Sequence, residues 1–184
     1  MSDTAENVPS PRQLLMRRPS LDNLPPLGLP DGHEVRDLRP GEEQALADLM
    51  TAAFGDTWTT EGIRRSFVDA PDVTNTYVVV RDGAILATAS ARLVPDRFPG
   101  SGYVHWVGVH PDARGMHLGA AVSLRTMQRF VELGCRDAVL ETDDFRIPAL
   151  KTYFALGFEP ENACPTHPER WKRVLEMLGR PIVD

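Results

Sequence analysis

The segment Arg114-Gly115-Met116-His117-Leu118-Gly119-Ala120 carries the densest chemical signal in the chain. It follows an apolar alternating run, Tyr103–Val109, that is broken at His110-Pro111-Asp112, and it leads into a helix-period pattern. A strand, a tight turn and a helix N-terminus in that order aim several backbone N–H groups at one anion. The same glycines would equally serve a turn that only needs close packing, because short glycine patterns are common. A dinucleotide does not fit: no G-x-G-x-x-G is present, and no early strand–helix–strand unit surrounds the turn.

A second motif stands downstream, Ala149-Leu150-Lys151-Thr152-Tyr153-Phe154-Ala155-Leu156-Gly157-Phe158, which reads A-x-x-x-Y-x-x-x-G-F. Together with V-x-V-x-P-x-x-R-G-x-x-x-G-A at Val107–Ala120, it resembles the GNAT superfamily of acyl-CoA-dependent N-acetyltransferases. The resemblance spans about Gly32 to Phe158, and two motifs in the expected order are more specific than either alone. It implies a mixed α/β (α+β) fold, a mostly antiparallel sheet flanked by helices, with the coenzyme cleft beside the central strand.

The resemblance also implies roles by position. Backbone groups around Val107, Gly108 and Val109 would pair with the pantetheine arm of acetyl-CoA as an added strand does. The amides from Arg114 to Ala120 would hold the pyrophosphate. Tyr153 matches the tyrosine that protonates the departing thiolate; a core tyrosine on an amphipathic helix would look the same. Two positions depart from the pattern. His117 stands where glycine is usual, and Arg146 stands where asparagine is common, three residues before Ala149. Arg146 would reach a phosphate with its charged fork or pair with Asp143 or Asp144. No metal is implied.

An amine acceptor must lose a proton before it attacks a thioester. Strand alternation puts Tyr103, His105, Val107 and Val109 on one face, with Val104, Trp106, Gly108 and His110 on the other. His105, with an imidazole pKa of about 6.5, is then a candidate base beside the cofactor; a structural histidine under the sheet is the alternative. Glu141 on the neighbouring strand is the second candidate, and it would need a raised pKa. His110 reads as a turn residue. Phe54, Trp58 and Phe67 are candidates to wall an acceptor pocket or to fill the core.

The elements that must position these residues follow from periodicity. The pattern predicts a strand at His33–Leu38, a helix at Glu42–Phe54, and a second helix capped by Thr59 or Thr60 and running through Phe67. Strands at Thr76–Arg81 and Ala84–Leu93 are joined by the hairpin signal Asp82-Gly83. The central strand, Tyr103–Val109, comes next. A helix over Leu118–Leu133 is stopped by Gly134, with Leu124, Met127 and Val131 inward and Arg125, Gln128, Arg129 and Glu132 outward. A strand at Asp137–Thr142, a helix from Pro148 to Leu156 and a terminal helix at Glu169–Leu178 complete the order. The final strand pair common in the family must be shortened or replaced, with Pro181–Asp184 as a remnant.

Residues 1–31, with six of their prolines between Pro9 and Pro30, read as an arm without regular structure. Residues 1–12 are expected to be loose and Leu21–Leu29 to lie across the domain or a partner subunit; residues 32–184 read as one domain. A hydrophobic content of 42% with 25% charged residues is that of a soluble globular protein. A net charge of -6 argues against nucleic acid. Cys135 and Cys164 make no metal spacing or disulfide framework. No secretory signal and no membrane-length apolar run is read, so a cytoplasmic location is expected. The acceptor is expected to be a small-molecule or peptide amine, and a homodimer is left open. A non-catalytic acyl-CoA sensor is the competing reading, and an interaction module without ligand a further one.

Overall fold

The structure, a computed structural model, describes residues 13–181. The strands are β1 (Leu14–Arg18), β2 (Glu34–Asp37), β3 (Val73–Arg81), β4 (Ala84–Arg92), β5 (Ser101–Val109), β6 (Asp137–Thr142) and β7 (Glu159–Glu161). The helices are α1 (Glu43–Phe54), α2 (Thr60–Ile63), α3 (Leu118–Glu132), α4 (Ile147–Ala155) and α5 (His167–Met177). One open sheet runs in the order β2-β3-β4-β5-β6-β1-β7. Among the described residues only β5 and β6 pair in parallel, so the sheet is mixed and mostly antiparallel.

Local chemistry explains most of the elements. Asp82 (φ 50°) and Gly83 (φ 81°) both take the left-handed conformation that a two-residue hairpin between β3 and β4 requires. The Thr59 side chain accepts from the Gly62 amide at 3.1 Å and starts α2, which widens into a π-turn over Arg64–Val68. Gly134 (φ 75°) follows α3 and stops it. The faces of α3 differ from expectation at one position: Leu124 and Met127 are buried, but Val131 is 51% exposed and Phe130 is the buried residue of that turn. Phe130 fills the space above Gly102, where a Cβ would stand 2.1 Å from the ring.

The core has two layers on opposite faces of the sheet. On one, α3 and α4 cover Tyr77, Val79, Val104 and Leu140. On the other, α1 and α2 cover Val78, Val80 and Ile85 through Leu46, Leu49, Met50 and Ile63.

The N-terminal arm is not devoid of regular structure. Between Pro11 and Pro19 the apolar run Leu14-Leu15-Met16 forms β1, an interior strand antiparallel to both β6 and β7. Met16 lies opposite Leu140 on one side and Pro160 on the other, and Leu14 and Met16 are fully buried. Arg17 ties the sheet together, bonding to Asp137 (2.7 Å), Ser101 (3.0 Å) and Glu161. Leu21 is buried, and Leu24, Leu27 and Leu29 pack against the main core. The expectation for residues 1–12 lies outside the described residues, as does all but the first residue of the Pro181–Asp184 remnant. With β1 beside β6, the last strand needs only three residues, and α5 closes that end with Trp171, Val174 and Leu175 buried.

Candidate functional site

A cleft opens where the sheet splits. β5 and β6 pair only over Ser101–Val104 and Asp137–Leu140, and their pairing stops there. Against β4, the ladder of β5 jumps from Ser90 opposite His105 to Thr88 opposite Gly108, which is a bulge. Trp106 sits inside it at φ 51°, a left-handed conformation that a large side chain rarely adopts.

The bulge resets the alternation. Val104, Val107 and Val109 pack on the α3 side. Trp106 packs with the α1 and α2 core, its ring centroid 5.5 Å from Phe54 and 4.8 Å from Trp58. The His105 ring lies 5.2 Å from Tyr103 and 5.1 Å from Trp106. His105 therefore does not share a face with Val107 and Val109, because two successive residues, His105 and Trp106, turn to the same side. The main chain beyond the bulge still faces the gap. The amide of His110 donates to Leu86 of β4 at 2.8 Å. Alternate amides of an antiparallel strand point to opposite edges, so Val107 and Val109 direct theirs away from β4, toward the split.

The turn after β5 meets the same gap. Gly115 (φ 82°) and His117 (φ 58°) are both left-handed, so His117 adopts the conformation a glycine would take there. The amide of Ala121 donates to His117 O at 3.1 Å and is the first in α3 to find a helical acceptor. Those of Leu118, Gly119 and Ala120 precede it and have no acceptor within the helix. Gly119 lets the helix start approach β5 closely: a Cβ there would stand 3.3 Å from Val109 Cγ2.

Val107–Val109, Arg114, Gly115, His117–Ala120, Arg146 and Tyr153 line one cleft of about 630 Å³. Met116 is the exception among the expected residues; it packs against the main core instead. Arg146 pairs with Asp143, its Nε donating at 3.0 Å, and its guanidinium covers the Phe54 ring at 4.8 Å in the cleft wall.

A smaller cavity of about 160 Å³ joins this cleft, sharing Phe54, Val107, Arg146, Ala149 and Tyr153 with it. Its other walls include Tyr103, His105, Trp106, Glu141 and Gln13. Tyr153 is thus at the junction. Burial pushes its phenol up to about 12, with Arg146 opposing, so it keeps its proton at neutral pH. His105 goes the other way. Burial and then the Arg92 guanidinium hold its imidazole down to about 3, far from the ordinary value, despite an opposing pull from Asp72. Arg92 Nη1 stands 3.2 Å from the ring nitrogens, and Arg92 Nε donates to Asp72 at 3.0 Å. A ring held neutral that firmly is a weak base. Glu141 receives three bonds: Arg97 Nη2 to Oε1 (2.8 Å), Arg97 Nη1 to Oε2 (3.2 Å) and the Tyr103 hydroxyl to Oε2 (2.9 Å). Burial first, and then Glu141, raises the Tyr103 phenol above its usual range.

Four of these participants are invisible to motif reading. Gln13 donates to Asp143 Oδ1 at 3.1 Å across 130 positions, and Arg97 reaches Glu141 across 44. Arg92 and Tyr103 matter through same-face contacts with the neighbouring strands, Arg92 with His105 and Tyr103 with Glu141. Trp58 and Phe67 stay in the aromatic core around Trp106, whereas Phe54 does wall both cavities. Among the described residues no cluster of His, Cys, Asp and Glu is arranged to hold a metal ion, and no helix is long and apolar enough to cross a membrane.

A split mixed sheet, helix-start amides without helical acceptors and a buried tyrosine thus meet at one junction. The chain belongs to the acetyltransferase (GNAT) family, whose model matches residues 43–158. A mycothiol acetyltransferase of Thermomonospora curvata is 34% identical over 163 residues, which is 84% of this chain and 54% of that protein. The chain spans about half the length of the curated relatives it matches. Among solved structures, a GCN5-related N-acetyltransferase from Sphaerobacter thermophilus has a TM-score of 0.64 at 24% identity, covering 82% of this chain and 49% of the other. A GCN5-related N-acetyltransferase from Kribbella flavida has a TM-score of 0.59 at 26% identity, covering 82% and 55%.

Proposed function

We propose that the protein transfers an acetyl group from acetyl-CoA to an amine by direct attack, without a covalent enzyme intermediate. The observation that carries this reading is the joining of the two cavities at Tyr153, with the open edge of β5 along one side. The larger cleft fits coenzyme A: main-chain groups of Val107 and Val109 offer strand-like pairing to pantetheine, and the amides of Leu118–Ala120 offer donors to pyrophosphate. Acetyl-CoA supplies an activated thioester carbonyl. The chain's own groups do the rest. The exposed amides of β5 stabilise negative charge on the carbonyl oxygen, and Tyr153 donates its proton to the leaving sulfur.

The smaller cavity takes the acceptor, a small-molecule or peptide amine. Glu141 is its base, directly or through water. His105, which the sequence offered for that role, serves as a neutral wall of the site. Arg114, His117 and Arg146 flank the phosphate end.

The test is thiol release from acetyl-CoA with a panel of ethanolamine, glucosamine, putrescine and glycinamide, together with calorimetry of coenzyme A binding. Amine-dependent release is expected. Tight coenzyme binding without release for any amine would replace this reading with that of a sensor.

A further inference from the structure

Glu141 is the one carboxylate lining the smaller cavity among the described residues. An incoming ammonium group therefore has a single anionic partner there, and that partner is already engaged. A carboxylate offers about four acceptor positions. Arg97 uses two of them at 2.8 and 3.2 Å, and Tyr103 uses a third at 2.9 Å. The other two arginines around the site have acids of their own, Arg92 with Asp72 and Arg146 with Asp143. Arg97 alone spends its charge on the group that the acceptor needs.

The two ends of this pair differ. The Glu141 side chain is 16% exposed and fixed by Tyr103, whereas the Arg97 side chain is 55% exposed on the turn between β4 and β5. That turn is anchored beside the arginine: Phe98 is buried, and the amides of Arg97 and Phe98 both donate to Val94 O, at 3.0 and 2.8 Å. The guanidinium lies 4.8 Å over the Phe98 ring, a second resting place that does not depend on Glu141. An ion pair with one exposed end is weak, so it opens at little cost.

We propose that Arg97 is a positioning residue that masks Glu141 while the acceptor site is empty and gives the carboxylate up to the acceptor's ammonium group. The hydroxyl of Tyr103 keeps the carboxylate oriented when Arg97 leaves, and the guanidinium stays on Phe98. The consequence is a preference for cationic primary amines whose binding is restrained by a built-in competitor. This inference rests on the acetyltransferase reading above.

The experiment compares the wild-type protein with R97M, R97K and E141Q in acetyl-CoA turnover, using the most active amine of the panel named above. Losing an arginine should improve acceptor binding. In R97M the KM for the amine should fall by about three- to five-fold, the worth of an exposed ion pair, with coenzyme A affinity little changed. R97K, which keeps the charge, should restore the wild-type KM, and E141Q should raise it. A purely structural arginine would not lower KM on removal. An unchanged or raised KM in R97M overturns the proposal while amine-dependent turnover stands. No turnover by the wild type with any of the four amines removes the acetyltransferase reading, and the proposal falls with it.

Discussion

Lowering the pH should destabilise this protein through His105 before any carboxylate titrates. The folded ring is held down to about 3 by burial and by Arg92, whereas an unfolded histidine titrates at 6.5. Between those values the unfolded chain binds a proton that the folded one refuses, so stability falls as pH falls. The contribution is whole above pH 6.5 and drains away toward 3. At pH 5 the unfolded imidazole is already protonated, and linkage puts the loss relative to pH 8 at ~2 kcal/mol. His105→Gln removes the titrating ring and leaves an acceptor for Arg92. Urea unfolding of both proteins at pH 8 and pH 5 isolates the effect, because every other titrating group cancels in the difference. The stability gap between wild type and variant should shift by ~2 kcal/mol in favour of the variant as pH falls. A gap that stays constant would show that His105 titrates alike in both states, and the argument that disqualifies it as a base would fail with it.

Tyr153→Phe should lower kcat while leaving coenzyme A affinity nearly intact, since in the proposed mechanism the phenol's proton is used only when the thiolate departs; equal turnover in the variant removes Tyr153 from the acid role. Met16→Ala, at a fully buried position between β6 and β7, should cost about 2–5 kcal/mol in chemical unfolding. A loss well below that would mean that β1 is peripheral to the folded core.

Most elements could be read because they obey local rules. Asp82-Gly83 makes its hairpin whatever surrounds it, and the apolar spacing of Leu46, Leu49 and Met50 suffices to bury one face of α1. The cleft residues from Arg114 to Ala120 were legible for a similar reason, since a strand, a turn and a helix start follow one another directly. What escaped depends on distance or on strain. A left-handed tryptophan has no sequence signature, so the bulge at Trp106 could not be anticipated. Every face assignment across it inherited the error, and His105 was put beside Val107. Proline density concealed β1, because the seven residues between Pro11 and Pro19 are too few to show a period of their own. Their strand character comes from β6 and β7, more than a hundred positions away. The exposure of Val131 has a smaller cause: Phe130 takes the inward position above Gly102, and its neighbour is turned out.

The interior place of β1 has a consequence for how the molecule comes into being. Its partners Thr142 and Glu161 leave the ribosome long after Leu14 and Leu15 do. Among the described strands, the first to be made is therefore among the last to be seated. Until β6 and β7 exist, Leu14-Leu15-Met16 is an apolar stretch with nowhere to go, flanked by prolines that discourage wrong strand pairings. Closing so long a loop is slow. The smaller cavity, which Gln13 helps to wall, is complete only when that loop has closed.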